Sequence, residues 1–153
     1  VREDGSSFVD ILQEAKITLD ALSLEDVARF ITPLGAPRRF DARFFVGRYP
    51  VGQQPHQDHG EIVDWKWVQP LTALREWQEG HFDLMPPTSR MLACLARYTS
   101  TESALVAARN RLPPKRVRVV DPKGEYKVVL PGERGYETAE TEIETGWVRL
   151  WDA

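Results

Sequence analysis

The chain has 153 residues, the length of one domain, and a compact chain of that size buries roughly 68–70% of the surface its unfolded form exposes. With 42% hydrophobic and 28% charged residues it is neither a disordered tail nor a helical membrane protein, since no apolar run approaches the ~18 residues needed to span a bilayer. A net charge of -3 with scattered basic residues removes the electrostatic case for a nucleic-acid partner.

Ser6 or Ser7 is placed to cap a helix whose apolar positions Phe8, Ile11, Leu12, Ala15 and Leu19 recur at three- and four-residue intervals. Asp20 to Asp26 reads as a turn. Val27 to Thr32 reads as a strand whose exit is marked by Pro33, Gly35 and Pro37. Arg39 to Tyr49 alternates as a returning antiparallel strand, with Phe40, Phe44 and Val46 on one face and Arg39, Arg43 and Phe45 on the other. Arg39 and Arg43 share a strand face, so both guanidinium forks could reach one phosphate or carboxylate. Asp41 between them offers the alternative of a self-satisfied Arg-Asp-Arg ladder.

Pro50 to Gly60 is a polar loop. Its end, His56-Gln57-Asp58-His59-Gly60-Glu61, holds four potential metal ligands in six residues. Adjacent ligands on one loop rarely converge, and the spacing matches no structural zinc pattern, so solvation is expected. Glu61 to Val68 is read as a strand with Val63, Trp65 and Trp67 on one face. Such an aromatic stripe is expected in the core, the alternative being a ring stacked on an adenine.

Thr72 to Glu79 predicts a short helix closed by Gly80, Pro86-Pro87 opens one running through Tyr98, and Thr99 or Ser100 caps another to about Arg111. Cys94, the only cysteine, sits among Met91, Leu92 and Leu95 and reads as a buried structural thiol; a chain without disulfides suits a reducing cytosol, so a cytoplasmic protein is expected. The run from Arg109 to Arg118 is expected to be a solvated helix end leading into an edge strand, although it could meet phosphates. Arg116 to Val120 and Tyr126 to Leu130 form a hairpin about Asp121-Pro122-Lys123-Gly124, and Gly146 to Trp151 is the last strand.

Several of these pieces, in this order, carry a family likeness: Ile31-Thr32-Pro33, Arg38-Arg39-Phe40-Asp41 through Phe45, Gly60-Glu61 through Val68, Leu84-Met85-Pro86-Pro87-Thr88 and Leu130-Pro131-Gly132. Together they resemble the later part of a Nudix hydrolase domain, in the branch of the peroxisomal coenzyme A diphosphatases and their bacterial relatives. The resemblance implies an α+β fold: a Nudix-like mixed β-sheet sandwiched by helices, incomplete at its N-terminal side and ending in a β-hairpin extension. Residues 1–112 are assigned to the Nudix portion and 113–153 to the extension packed on it. A sheet missing strands and a cover should expose an apolar patch and raw edges.

The activity implied is hydrolysis of a diphosphate joining a nucleoside to another moiety, coenzyme A or acyl-CoA among them, with Mg²⁺ or Mn²⁺ in the full-length parent. The family signature is Gly, five residues, Glu, seven residues, then Arg-Glu-U-x-Glu-Glu-x-Gly-U with U apolar, and it is absent. The nearest match, Arg75-Glu76-Trp77-Gln78-Glu79-Gly80, has Gly80 where the second Glu belongs and Trp67 where an upstream Glu is needed, so it reads as an ordinary amphipathic helix. The chain is therefore expected to be a fragment, inactive and holding no metal alone, with Val1 at an artificial start. Glu61 is the candidate general base or extra metal ligand, weighed against a solvated strand-start carboxylate, and Arg39 and Arg43 are the candidate substrate contacts. The expected partner is a nucleotide-diphosphate small molecule, with no nucleic acid and no membrane, and with room for a homodimer of the full-length protein. The alternative is a non-catalytic Nudix-like module that binds a nucleotide or a protein.

Overall fold

The computed structural model describes residues 7–34, 36–57, 60, 62–120, 127–139 and 144–152. In chain order these form α1 (Phe8–Glu14), a single 3-10 turn (Ala21–Ser23), β1 (Leu24–Ile31), β2 (Asp41–Gly47), α2 (Pro70–Gln78), α3 (Pro86–Leu95), α4 (Thr101–Arg109), β3 (Lys115–Arg116), β4 (Arg118–Val120), β5 (Lys127–Val129) and β6 (Gly146–Val148). This is the α+β class expected, and it is compatible with a Nudix-like fold. Four strands make one sheet in the order β2-β1-β6-β3, β4 and β5 make a second, and every described strand pair is antiparallel. No described helix is long and apolar enough to cross a membrane.

Local chemistry explains most helix boundaries. Ser7 caps α1 reciprocally with Asp10, and Ser100 caps α4 reciprocally with Ser103, each pair satisfying backbone N–H groups that the first turn leaves open. Prolines at the first turns of α2 and α3 lose nothing by lacking an N–H there. The helix expected to reach Arg111 ends at Arg109, since Arg111 adopts a left-handed φ of 46° that no α-helix continues through. The first helix likewise stops before Leu19, with Lys16 at φ 52°.

β1 starts at Leu24, so the turn expected over Asp20 to Asp26 is shorter and the strand longer. The reason is a register shift between Asp26 and Ala28 in the pairing with β2, which leaves Val27 as an extra residue and breaks the simple alternation. Val27 and Ala28 are consecutive and both fully buried. They join Phe30, Met91, Cys94, Ala108, Val117, Leu130, Val148 and Leu150 in one core, so α3 and α4 cover one face of the large sheet. Phe30 meets Phe44 edge-to-face at 5.5 Å within that layer.

The strand expected over 61–68 is a correction. Glu61 lies outside the described residues, and residues 62–69 form no strand. Alternation alone does not make a strand; it needs a neighbour to bond, and none of the described sheet pairs includes this segment. The aromatic stripe is correspondingly not core: Trp65 is 41% and Trp67 67% exposed. β2 is an edge strand, and Phe8, Val9, Ile17, Leu19, Leu22, Ile62 and Val63 are exposed, so unpaired edge and apolar surface are both present among the described residues.

β3 and β6 come from the segment assigned to the extension and are strands of the same sheet as β1 and β2, with β6 directly beside β1. The expected hairpin forms between β4 and β5, its turn lying outside the described residues. The last strand is shorter than expected, Gly146–Val148. Gly146 has φ 99°, and a Cβ there would collide with the Arg29 carbonyl oxygen while standing 2.7 Å from the Arg29 carbonyl carbon and 3.1 Å from Phe30 Cα. Only glycine allows the two strands to lie this close. Gly146→Ala should therefore destabilise the chain by about 3 kcal/mol or more, through backbone strain and collision together, read as a lowered urea midpoint; a change under about 1 kcal/mol would contradict this account.

Candidate functional site

The face of the large sheet away from α3 and α4 carries charge. The β1–β2 register sets Arg29 directly opposite Arg43, an unfavourable pairing by itself. Each cation is matched diagonally instead. Arg29 donates through Nε and Nη2 to the two Asp41 oxygens at 2.8 and 2.6 Å, and Arg43 Nη1 donates to Asp26 Oδ2 at 2.6 Å. Glu144, on the approach to β6, adds a contact to Arg29 at 3.5 Å. The Arg29 fork holds the Asp41 carboxyl below its ordinary range, with Coulombic help from Arg29 and Arg43 against partial desolvation.

The ladder proposed from the sequence is thus rearranged. Asp41 and Arg43 are both in it, but their partners come from β1, and Arg39 stands outside. Arg39 precedes β2, which starts at Asp41, because Thr32 and Phe40 close the connection: Thr32 N donates to the Phe40 carbonyl at 2.9 Å and Phe40 N to Thr32 Oγ1 at 3.0 Å. Arg39 Nε donates to the Thr32 carbonyl at 2.9 Å, and its other N–H groups make no bond among the described residues. Arg29 was missed by sequence reasoning, since its place between the buried Ala28 and Phe30 marks an outward position but only the register assigns its partner. Around this crossing two cations, Arg29 and Arg43, meet three carboxylates, Asp41, Glu144 and Asp26.

Glu61, Asp58 and His59 lie outside the described residues, and His56 is exposed. Among the described residues no three His, Cys, Asp or Glu side chains are grouped to hold a metal ion, so this donor set does not fit Mg²⁺ or Mn²⁺. Glu76 of the signature-like run lies on α2 and accepts from Lys66 Nζ at 2.7 Å, which holds its carboxyl below the usual range. Lys66 also lies 4.4 Å from the Phe82 ring centre, Trp65 meets Trp67 at 6.2 Å, and Trp67 meets Tyr49 at 4.9 Å. These contacts anchor the segment after the loop without a ladder of backbone bonds.

The basic run from Arg109 to Arg118 is largely absorbed by structure. Arg111 bonds Glu25 at 3.1 Å, Arg118 bonds the Tyr136 carbonyl at 2.7 Å, and Lys115 lies 3.6 Å from the Trp151 ring centre. Cys94 is buried in the core, and desolvation pushes its thiol up to about 11.

Curated proteins align with the sequence over about two-thirds of its length. The chain resembles acyl-coenzyme A diphosphatases. It is 27% identical over 106 residues to acyl-coenzyme A diphosphatase NUDT19 of Gallus gallus, covering 65% of this chain and 28% of the relative. The Homo sapiens protein of that name is 28% identical over 102 residues, covering 65% and 27%, and the Xenopus laevis one 24% identical over 102 residues, covering 64% and 27%. The chain thus spans little more than a quarter of the length of these NUDT19 relatives. No family model matches, and no solved structure matches.

Two measurements check the site chemistry. Because Asp41 has a lowered folded-state pKa, its stabilising contribution is present above the ordinary carboxylate range and is lost as pH falls through the lowered value. The thermal midpoints of the native chain and Asp41→Asn should therefore differ near neutrality and converge as pH falls below the ordinary carboxylate range; a difference that stays constant with pH would count against the Arg29–Asp41 pair. Cys94 should resist a thiol-specific reagent at about pH 8 until denaturant is added, whereas immediate stoichiometric labelling of the native chain would show the thiol accessible.

Proposed function

We propose that this chain is part of a Nudix-type hydrolase that cleaves a diphosphate joining a nucleoside to another moiety, with coenzyme A or acyl-CoA as the substrate class. The observation that carries the reading is the 24–28% identity to acyl-coenzyme A diphosphatases over about two-thirds of the chain. The ordered motifs around Arg38-Arg39-Phe40-Asp41 and Trp65-Lys66-Trp67 support it. On this reading the chain alone is inactive and the ion is held by the longer protein; the absence of the family signature from this sequence and the engagement of Glu76 by Lys66 support it. Its single cysteine, free and buried, supports the cytoplasmic placement we adopt.

Within that protein Glu61 takes the proton of the attacking water or completes the ion's ligands. Arg39 contacts a substrate phosphate, since most of its fork is uncommitted, whereas Arg43 would first have to exchange Asp26 for the ligand.

The experiment incubates the 153-residue chain and the longer protein with coenzyme A and Mg²⁺ or Mn²⁺ and follows release of the two phosphomonoesters. Turnover is expected from the longer protein alone. Glu61→Gln should lower its kcat by roughly 10²–10⁴-fold, and Arg39→Ala should raise KM roughly tenfold. Turnover by the chain alone would overturn the fragment reading. A longer protein inert toward every nucleoside diphosphate tested, yet binding one, would establish the alternative of a non-catalytic module.

A further inference from the structure

A cleft of about 490 Å³ opens between the end of β2, the start of α2 and the turn joining α3 to α4, within the roughly 300–1,000 Å³ typical of small-molecule sites. Its walls include the apolar side chains of Val46, Leu95, Ala104 and Leu105, and none of its lining residues carries a formal charge. Gln69, Leu71, Thr99 and Thr101 are exposed lining residues, and the polar side chains of Gln69, Thr99 and Thr101 make no hydrogen bond among the described residues. Beside the cleft, Arg48 at the exit of β2 is ion-paired with Glu102 in the first turn of α4, which ties two of its walls together.

This composition selects a ligand. A phosphate or a free carboxylate would enter with no counter-charge on any wall and lose its hydration for nothing. A saturated chain gains from the apolar walls, and a chain bearing a few neutral amides or a thioester also finds donors and acceptors in the hydroxyls and the amide at the edge. Resting on the function proposed above, we infer that this cleft receives the acyl-pantetheine arm of an acyl-CoA substrate, apart from whatever groups bind its diphosphate. The cleft then sets acyl-chain preference, and Leu71 on α2 and Thr101 on α4 are its outer specificity residues.

The test uses a probe without a diphosphate. S-octanoyl-pantetheine and S-acetyl-pantetheine are titrated calorimetrically into the 153-residue chain, into Leu71→Asp and into Thr101→Trp. Both substitutions lie at exposed helix-start positions, and their thermal unfolding is compared with that of the parent. A buried methylene corresponds to roughly fourfold in affinity, so in a partly open cleft octanoyl should bind at least about tenfold more tightly than acetyl, and each variant should remove most of that difference. Equal affinities, no binding, or a chain-length preference that both variants retain would overturn the inference, the last placing the chain elsewhere, as on the exposed Trp65 and Trp67. Octanoyl binding in the cleft together with no coenzyme A hydrolysis by the longer protein would keep this inference and defeat the diphosphatase reading. Hydrolysis without chain-length preference in binding would do the reverse.

Discussion

The large sheet depends on the contact between Gly146 and the backbone at Arg29 and Phe30. Because residue 146 has no side chain, β6 can enter beside β1, and a row of backbone bonds follows: Ile31 N to the Thr145 carbonyl at 3.1 Å, Arg149 N to the Val27 carbonyl at 2.9 Å, and Val117 N to the Gly146 carbonyl at 3.0 Å. Thr145 Oγ1, itself buried, donates to the Val117 carbonyl, so the strand's approach is held from both sides. β6 brings Val148 and, just beyond it, Leu150 into the core opposite α3 and α4. Without it, β1 has a partner on one side and β3 has none in this sheet.

The charged face is built on the same contact. The register that sets Phe30 against Gly146 sets Arg29 against Trp147 and brings Glu144 to the Arg29 guanidinium. Arg29 therefore sits at the crossing of three strands, fixed by Asp41 of β2 while its own strand is fixed by β6. A guanidinium held in a two-point fork by a carboxylate is a poor recruit for a ligand and a good clamp between strands. Arg43 ties β2 to the other end of β1 by a single bond from Nη1 to Asp26 Oδ2, and Arg39, beyond the ladder, lies at the end of the sheet nearest the Thr32–Phe40 closure.

What was readable in the sequence was local. Prolines at positions 86 and 87 and the serines at 7 and 100 mark helix starts because their chemistry acts within one turn, whereas α2 begins at Pro70, two residues before the expected Thr72, and the α+β class followed from the family resemblance. The pairing of β6 with β1 was not readable, since nothing near residue 146 names a partner over a hundred positions earlier. The residues from 62 to 68 were misread for a related reason: their alternation fits a strand, but none of the described sheet pairs includes them. Arg29 as the partner of Asp41 was hidden by the extra residue at Val27, which shifts the count of faces along β1. Of the site, Arg43 lies on the expected face with Asp26 and not Asp41 as its carboxylate, Arg39 was assigned to a strand it precedes, and Glu61 falls outside the described residues. The cleft could not be foreseen at all, because its walls are contributed by segments from Val46 to Leu105 whose meeting is a tertiary event.

The central position of β6 also constrains the order of events during synthesis. Arg29 and Glu144 are 115 residues apart, and at roughly 5–20 residues per second a ribosome needs about 6–23 s to make the chain between them. Through that interval β1 can pair with β2 but carries its other edge, and its fully buried residues Val27 and Ala28, without the strand that completes them. The nascent chain thus presents an open strand edge next to apolar side chains for far longer than a hairpin takes to form, and its yield in a cell will depend on what shields that edge until residue 148 emerges.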